Sequence, residues 1–266
     1  MAFASHIGGR AEQQDGVACF ASRDGKRALL VVADGMGGHQ GGALASRTVI
    51  EVAEGLWNGG LFAPENPRAF LETLCLRADD EIRVRGAAKG LSPHSTVAAL
   101  LVTRDRAYWA HVGDSRVYGF CGTRLIFRTE DHSAVRKLVL AGKISESEAE
   151  THPEQHLLLR GLGGDMPTRP TFGQVQMAGN MGFVLCTDGF WATIRTDEMA
   201  ALLTADDLSS ACEYWVALAA ERAGADSDNV TVAALRAPGS SLHRMLWPLY
   251  VAGAVALFLL LLSLFR

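Results

Sequence analysis

Five aspartates in this sequence sit where a strand should meet a loop. Asp34 closes the apolar run "LLVVA" and is followed by Gly35; Asp188 closes "FVLCT" and is followed by Gly189. Asp114 lies in "HVGDSR" between two apolar stretches, Asp228 lies in "DSDNVT" just ahead of another, and Asp15 precedes "GVACFAS". Any one of them reads as a turn or cap residue, because Asp side chains bond the backbone of tight turns. Five at strand ends, two of them directly after buried-type runs, read as a set that converges at the mouth of a sheet. Carboxylates brought together repel one another unless a cation joins them.

The donor chemistry selects the cation. All the candidate ligands are hard oxygens, and no Cys-x-x-Cys pair points to zinc. Mn²⁺ or Mg²⁺ suits such ligands, with waters completing the shell. A glycine after each key Asp lets the chain approach closely and offers a backbone carbonyl, as at Gly35. Two such ions a few ångströms apart would share a water and bring its pKa toward neutrality. That makes a hydroxide nucleophile without Ser or Cys. Its target would be anionic, and Arg10, in "GGRAEQQD" five residues before Asp15, can grip phosphate oxygens with both arms of its fork.

These residues need a scaffold of paired strands. Residues 16–22 and 28–34 read as a hairpin turned by "RDGK". Residues 41–57 read as a helix with Ala45, Val49, Val52 and Leu56 on one face, and 67–85 read as a second helix. The runs 95–103, 106–113, 115–121 and 124–130 form an antiparallel meander. Residues 133–164 mix helix and loop, 182–189 repeat the strand-then-Asp-Gly pattern, 197–204 and 207–223 are helical, and 229–236 is a last strand. The expected fold is α/β (α+β): a four-layer α-β-β-α sandwich of two antiparallel sheets flanked by helices. A doubly wound sheet is excluded, because strands and helices do not alternate and no Gly-x-Gly-x-x-Gly follows the first strand.

Composition narrows the partners. The chain has 266 residues and a net charge of −4 with no run of Lys or Arg, so nucleic acid is not an expected partner. The five cysteines, at 19, 75, 121, 186 and 212, are scattered and read as buried reduced thiols of a reducing compartment. The first residues lack the basic start and apolar core of a signal peptide. Residues 245–265 are uncharged and long enough to span a bilayer, with Trp247 and Tyr250 placed for an interfacial belt. The expectation is a catalytic domain over 1–236, a linker over 237–244 and a C-terminal transmembrane helix over 245–265. That helix would anchor the protein to the lipid bilayer as a single-pass protein of the inner (cytoplasmic) membrane, catalytic domain in the cytoplasm.

Taken in order, these segments resemble the metal-dependent type 2C protein serine/threonine phosphatases. "RAEQQD" resembles the family's Arg-x-x-Asn-Glu/Gln-Asp opening, and "VVADGMGGHQGG" resembles its bacterial Asp-Gly-Met-Gly-Gly-His segment. "HSTVAALLV", "HVGDSRVY", "TEDHS", "RGLGG", "LCTDGFW" and "DSDNVTV" follow in family order across about residues 5–236. The resemblance implies that Asp34, the Gly35 carbonyl, Asp188 and Asp228 hold two Mn²⁺ or Mg²⁺ ions, with Asp15 in the outer shell. Asp114 with Asp188 would hold a third, looser ion, and Arg10 would bind the substrate phosphate. Arg10, Asp34 and Asp188 are then the expected catalytic residues, and 138–156 resembles a mobile flap beside the site. The implied activity is hydrolysis of phosphoserine and phosphothreonine on proteins, opposing a bacterial Ser/Thr kinase. The alternative is a membrane-anchored pseudo-phosphatase that serves as scaffold or phosphoprotein sensor.

The chain departs from the family pattern at four places. Gln13 replaces the usual Asn, Gln14 a Glu found in some members, and Ala192 an Asp or Asn. Met36 stands where eukaryotic members offer a His as general acid; His39 is three residues further on and reads as a loop residue. His94, His111 and His132 read as local hydrogen-bonding residues.

Overall fold

The computed structural model describes residues 1–37, 41–59, 66–150, 152–155, 157–165 and 167–237. Twelve strands appear: β1 (Ala2–His6), β2 (Asp15–Ala21), β3 (Ala28–Met36), β4 (His94–Ser95), β5 (Val97–Val102), β6 (Arg106–Val112), β7 (Arg116–Cys121), β8 (Arg124–Arg128), β9 (Leu162–Gly163), β10 (Thr171–Gln176), β11 (Met181–Cys186) and β12 (Val230–Arg236). The helices are α1 (Gly41–Asn58), α2 (Pro67–Ala87), α3 (Ala134–Leu140), α4 (Glu146–Glu150), α5 (Asp188–Trp191), α6 (Thr196–Thr204) and α7 (Leu208–Ala223). One antiparallel sheet runs β1-β12-β11-β7-β8; the other runs β10-β6-β5-β3-β4-β9, with β2 also paired to β3.

Strand alternation divides the core into three slabs, because successive side chains face opposite ways. On β3, Leu29, Val31 and Ala33 pack with Ala45, Val49 and Leu56 of α1 and Leu71, Leu74 and Ala78 of α2. Leu30 and Val32 turn inward to meet Val117, Phe183, Leu185 and Ala233 of the opposite sheet. Val184, Val232 and Ala234 face outward onto Met199, Leu202, Cys212 and Val216 of α6 and α7. The result is the expected order of helices, sheet, sheet and helices.

The same alternation aims the chemistry. On β3 the inward positions 30 and 32 continue to Asp34, and on β2 the inward Val17 and Cys19 lead back to Asp15. Asp15 and Asp34 are cross-strand partners. Two carboxylates at directly opposed positions are unfavourable in a plain sheet, which marks this end of the inter-sheet layer as a site.

The membrane expectation is corrected. Among the described residues no helix is long and apolar enough to cross a membrane. The segment 245–265 lies outside the described residues, as does most of the linker, so the single-pass inner-membrane placement and the lipid contact have no support in the structure. The apolar composition of a segment shows that it can be buried in lipid; it does not by itself form a span.

Candidate active site

The N-terminal loop delivers Arg10 to the far end of the chain. Gly8 and Gly9 lie flat on the backbone of residues 225–228: a Cβ on Gly8 would stand 2.1 Å from the Asp228 carbonyl oxygen, and one on Gly9 2.0 Å from that of Ala225. The Gly9 N–H donates to the Ser227 carbonyl (2.9 Å). Asn229 ties down the rest of the loop, donating to the carbonyls of Ile7 (2.8 Å) and Glu12 (3.1 Å) and accepting from the Gln14 N–H (2.7 Å). Arg10 Nη2 then donates to Asp228 Oδ2 at 2.7 Å, and the guanidinium also feels the charges of Asp188 and Asp34.

Asp15 accepts from Thr187 Oγ1 (2.8 Å), whose hydroxyl oxygen in turn accepts the Thr231 N–H (3.1 Å). The Gln13 side chain accepts the Asp15 N–H (2.9 Å). The Asp34 N–H donates to Thr96 Oγ1 (2.9 Å), and Thr96 and Ser115 share a hydroxyl hydrogen bond of 2.6 Å, which links the end of β3 to the turn that carries Asp114. Asp114 is further held through its carbonyl by Trp191 Nε1 (2.9 Å). Trp191 lies under the Arg116 guanidinium, 3.4 Å from ring centre to Cζ. Arg116 grips Asp131 with both arms, at 2.8 and 2.6 Å, while largely buried. Asp188 opens α5, and its Oδ1 accepts the Gly189 N–H (2.7 Å). Gly35 has room for no side chain: a Cβ there would stand 2.0 Å from the Gly42 carbonyl oxygen.

Burial and mutual repulsion act together on these acids. Burial pushes the Asp15 carboxyl up to about 7; the Thr231 and Thr187 hydrogen bonds pull against this, and the charges of Asp188 and Asp228 add to it. Asp34 is held well above the usual carboxylate range by burial first, then by Asp188, Asp15, Asp114 and Asp228. Asp114 is raised by burial, Asp188 and Asp131, with Arg116 opposing.

The structure thus brings Arg10, Asp15, Asp34, Gly35, Asp114, Asp188 and Asp228 to one end of the sandwich. It does not close them into a cage: among the described residues no three His, Cys, Asp or Glu side chains form a ready ligand group. The donor set still fits a hard divalent cation. All its donors are oxygen, and Asp15, Asp34 and Asp114 are raised first by burial and then by the charges of neighbouring acids, both of which a bound cation would offset.

That fit has a measurable consequence. An Asp whose folded-state pKa is raised contributes stability that is complete below the unfolded value of 3.8 and lost as pH rises through about 7. Divalent ions need the deprotonated ligands and stabilise only the folded state. Mn²⁺ is therefore expected to raise the melting temperature more at pH 8 than at pH 5. Equal shifts at both pH values, or none, would remove the carboxylate cluster as the binding site.

The histidines divide. His111 Nε2 bonds the Glu130 carbonyl (2.8 Å), and His132 Nδ1 accepts the Gly113 N–H (3.2 Å) with its ring stacked on His111 at 4.5 Å, both in local structural roles. His94 differs from the sequence expectation: its side chain has no hydrogen-bond partner among the described residues, and its ring packs beside Gly164. His39 lies outside the described residues. Sequence reasoning missed Thr96, Arg116, Asp131, Trp191 and Asn229. The short motifs "HST", "GDSR" and "TEDHS" contain three of them, but nothing local told that Arg116 would reach Asp131 or lie on Trp191.

A helix-faced pair of antiparallel sheets, with carboxylates at one end and an arginine over them, defines a metal-dependent phosphoester hydrolase. The chain belongs to the protein phosphatase 2C family, whose model matches residues 4–229. It is 31% identical over 241 residues to the protein phosphatase PhpP of Streptococcus pneumoniae, covering 84% of this chain and 91% of that one. The S. agalactiae serine/threonine phosphatase superposes with a TM-score of 0.78 at 29% identity, covering 89% of this chain and 98% of that one. The catalytic domain of the phosphatase PstP, solved with two manganese ions, superposes with a TM-score of 0.75 at 28% identity, covering 89% and 97%. Such relatives are serine/threonine protein phosphatases, and type 2C enzymes use Mn²⁺ or Mg²⁺.

Proposed function

We infer that the chain removes phosphate from phosphoserine and phosphothreonine on proteins and opposes a Ser/Thr kinase of the same cell. In this reading Asp34, the Gly35 carbonyl, Asp188 and Asp228 hold two divalent ions, Asp15 supports them from behind, and Asp114 with Asp188 takes a third. When bound, the ions supply a water acidified toward neutral pH and positive charge for the phosphoryl oxygens. Arg10 gives up its contact with Asp228 and turns its fork to the phosphate, where charge spreads over the equatorial oxygens during transfer. Thr187 and Thr231 keep Asp15 in place, and the Thr96–Ser115 bond keeps Asp34 and Asp114 in register. The observation that carries this reading is the convergence of five aspartates at one end of the sandwich, Asp15 directly opposite Asp34, with Asp34 raised by burial and by the charges of the other four and Arg10 bonded to Asp228. A pseudo-phosphatase would have no reason to retain that unfavourable charge.

The test compares substrates. With Mn²⁺, a phosphothreonine peptide is expected to be hydrolysed at least tenfold faster, in kcat/KM, than nucleotides or sugar phosphates. A preference for either small ester would replace the phosphoprotein reading with a metabolic one. Absence of all hydrolysis with ion binding intact would favour the scaffold.

A further inference from the structure

Beside the carboxylates lies a cavity of about 520 Å³, within the range of ligand-binding pockets. Asp114 and Asp188 line one end of it, so it opens from the site itself. Val135 and Val139 of α3, Ala149 of α4, Trp191 and Ile194 also line it. Arg136 of α3 donates both to Glu130 and to Glu146 of α4, tying the two helices together beside it.

The cations around this cavity are mostly spent. Arg116 is clasped by Asp131, Arg136 holds its two glutamates, and Arg195 pairs with Asp197 at 2.8 Å. Arg128 is the exception. It is half-buried at the end of β8, lines the cavity, and its side chain has no hydrogen-bond or ion-pair partner among the described residues. Its register partner is Tyr118, four residues along the chain from Asp114. Asp114 sits in the bend ahead of β7 and Tyr118 lies inside that strand, so Arg128 lines the cavity away from the bend that carries Asp114. A second anion entering at the carboxylate end would be repelled by Asp114 and Asp188. At the Arg128 end it would find a half-desolvated fork with free donors.

We propose that this cavity binds the polypeptide flanking the phosphorylated residue, and that Arg128 selects an acidic side chain within four residues of it. The apolar lining takes the intervening side chains. This rests on the phosphoprotein reading above.

The test uses the full chain with Mn²⁺ and phosphothreonine peptides with alanine flanks, placing Glu or Lys singly at each position from four before to four after the phosphothreonine. The readout is the Glu/Lys ratio of kcat/KM at each position, in which the fraction of folded enzyme cancels. Wild type is expected to favour Glu about tenfold at one of these positions, mainly through KM. Arg128→Gln is expected to bring that ratio to about one, and Arg128→Glu to invert it. A flat wild-type scan, or a preference that survives Arg128→Gln, overturns the assignment while leaving the phosphatase intact. If no phosphopeptide is turned over while a small phosphate ester is, this inference and the phosphoprotein reading fall together.

Discussion

Asp34→Asn is expected to lower turnover of a phosphothreonine peptide about a thousandfold, which corresponds to about 4 kcal/mol in the barrier. The same variant is expected to melt a few degrees higher than the parent in the absence of metal at pH 8. Both effects follow from one fact. Asp34 is pushed well above the normal carboxylate range by burial and by four neighbouring acids, so its charge is unfavourable until a cation arrives. Removing that charge relieves the fold and removes a ligand together. Activity and metal-free melting must therefore move in opposite directions. Hydrolysis within tenfold of the parent, or a lower melting temperature with the secondary structure unchanged, would show that Asp34 is an ordinary strand-end residue.

The largest stability loss is expected from Arg116→Ala. Arg116 and Asp131 are both largely buried and joined through two hydrogen bonds, and Arg116 also donates to the Tyr118 hydroxyl at 3.0 Å and lies over Trp191. Removing one member of such a pair strands the other charge, at a cost of about 3–5 kcal/mol. For a domain of this size that lowers the melting temperature by about 10 °C. Arg116→Met with Asp131→Leu is expected to recover most of the loss, because neither charge is then left alone. A shift below about 2 °C for the single variant would mean that water reaches the pair and screens it.

The fold was legible where local signals were strong. The strand pair around "RDGK", the meander and the helix faces all come from periodicity. The asymmetric packing of β3, with Leu29 and Val31 outward and Leu30 and Val32 inward, places Asp34 by parity alone. The two-residue strands β4 and β9 and the edge strands β1 and β10 were not legible. β4 and β9 are too short for a period to show, and β10 (Thr171–Gln176) is mostly exposed or half-exposed, so it lacks an apolar side. The carboxylates could be picked out, but their supports could not. Trp191 finds the Asp114 carbonyl and Asn229 finds Ile7, contacts 77 and 222 residues apart, and no local pattern encodes such pairs. The membrane expectation rested on composition over 245–265 alone, and that segment lies outside the described residues, among which no helix is long and apolar enough to cross a membrane.

The way Gly8 and Gly9 rest on residues 225–228 bears on how the protein is made. Among the described residues β1 pairs only with β12, and Arg10 meets Asp228, 218 positions further along the chain. A ribosome that has reached residue 200 has released every helix of one face and most strands, yet β1 has no neighbour and Arg10 has nothing to hold. The growing polypeptide therefore stays inert until β12 has been made. Premature termination or clipping before β12 would yield fragments that retain much of the scaffold but lack a working centre.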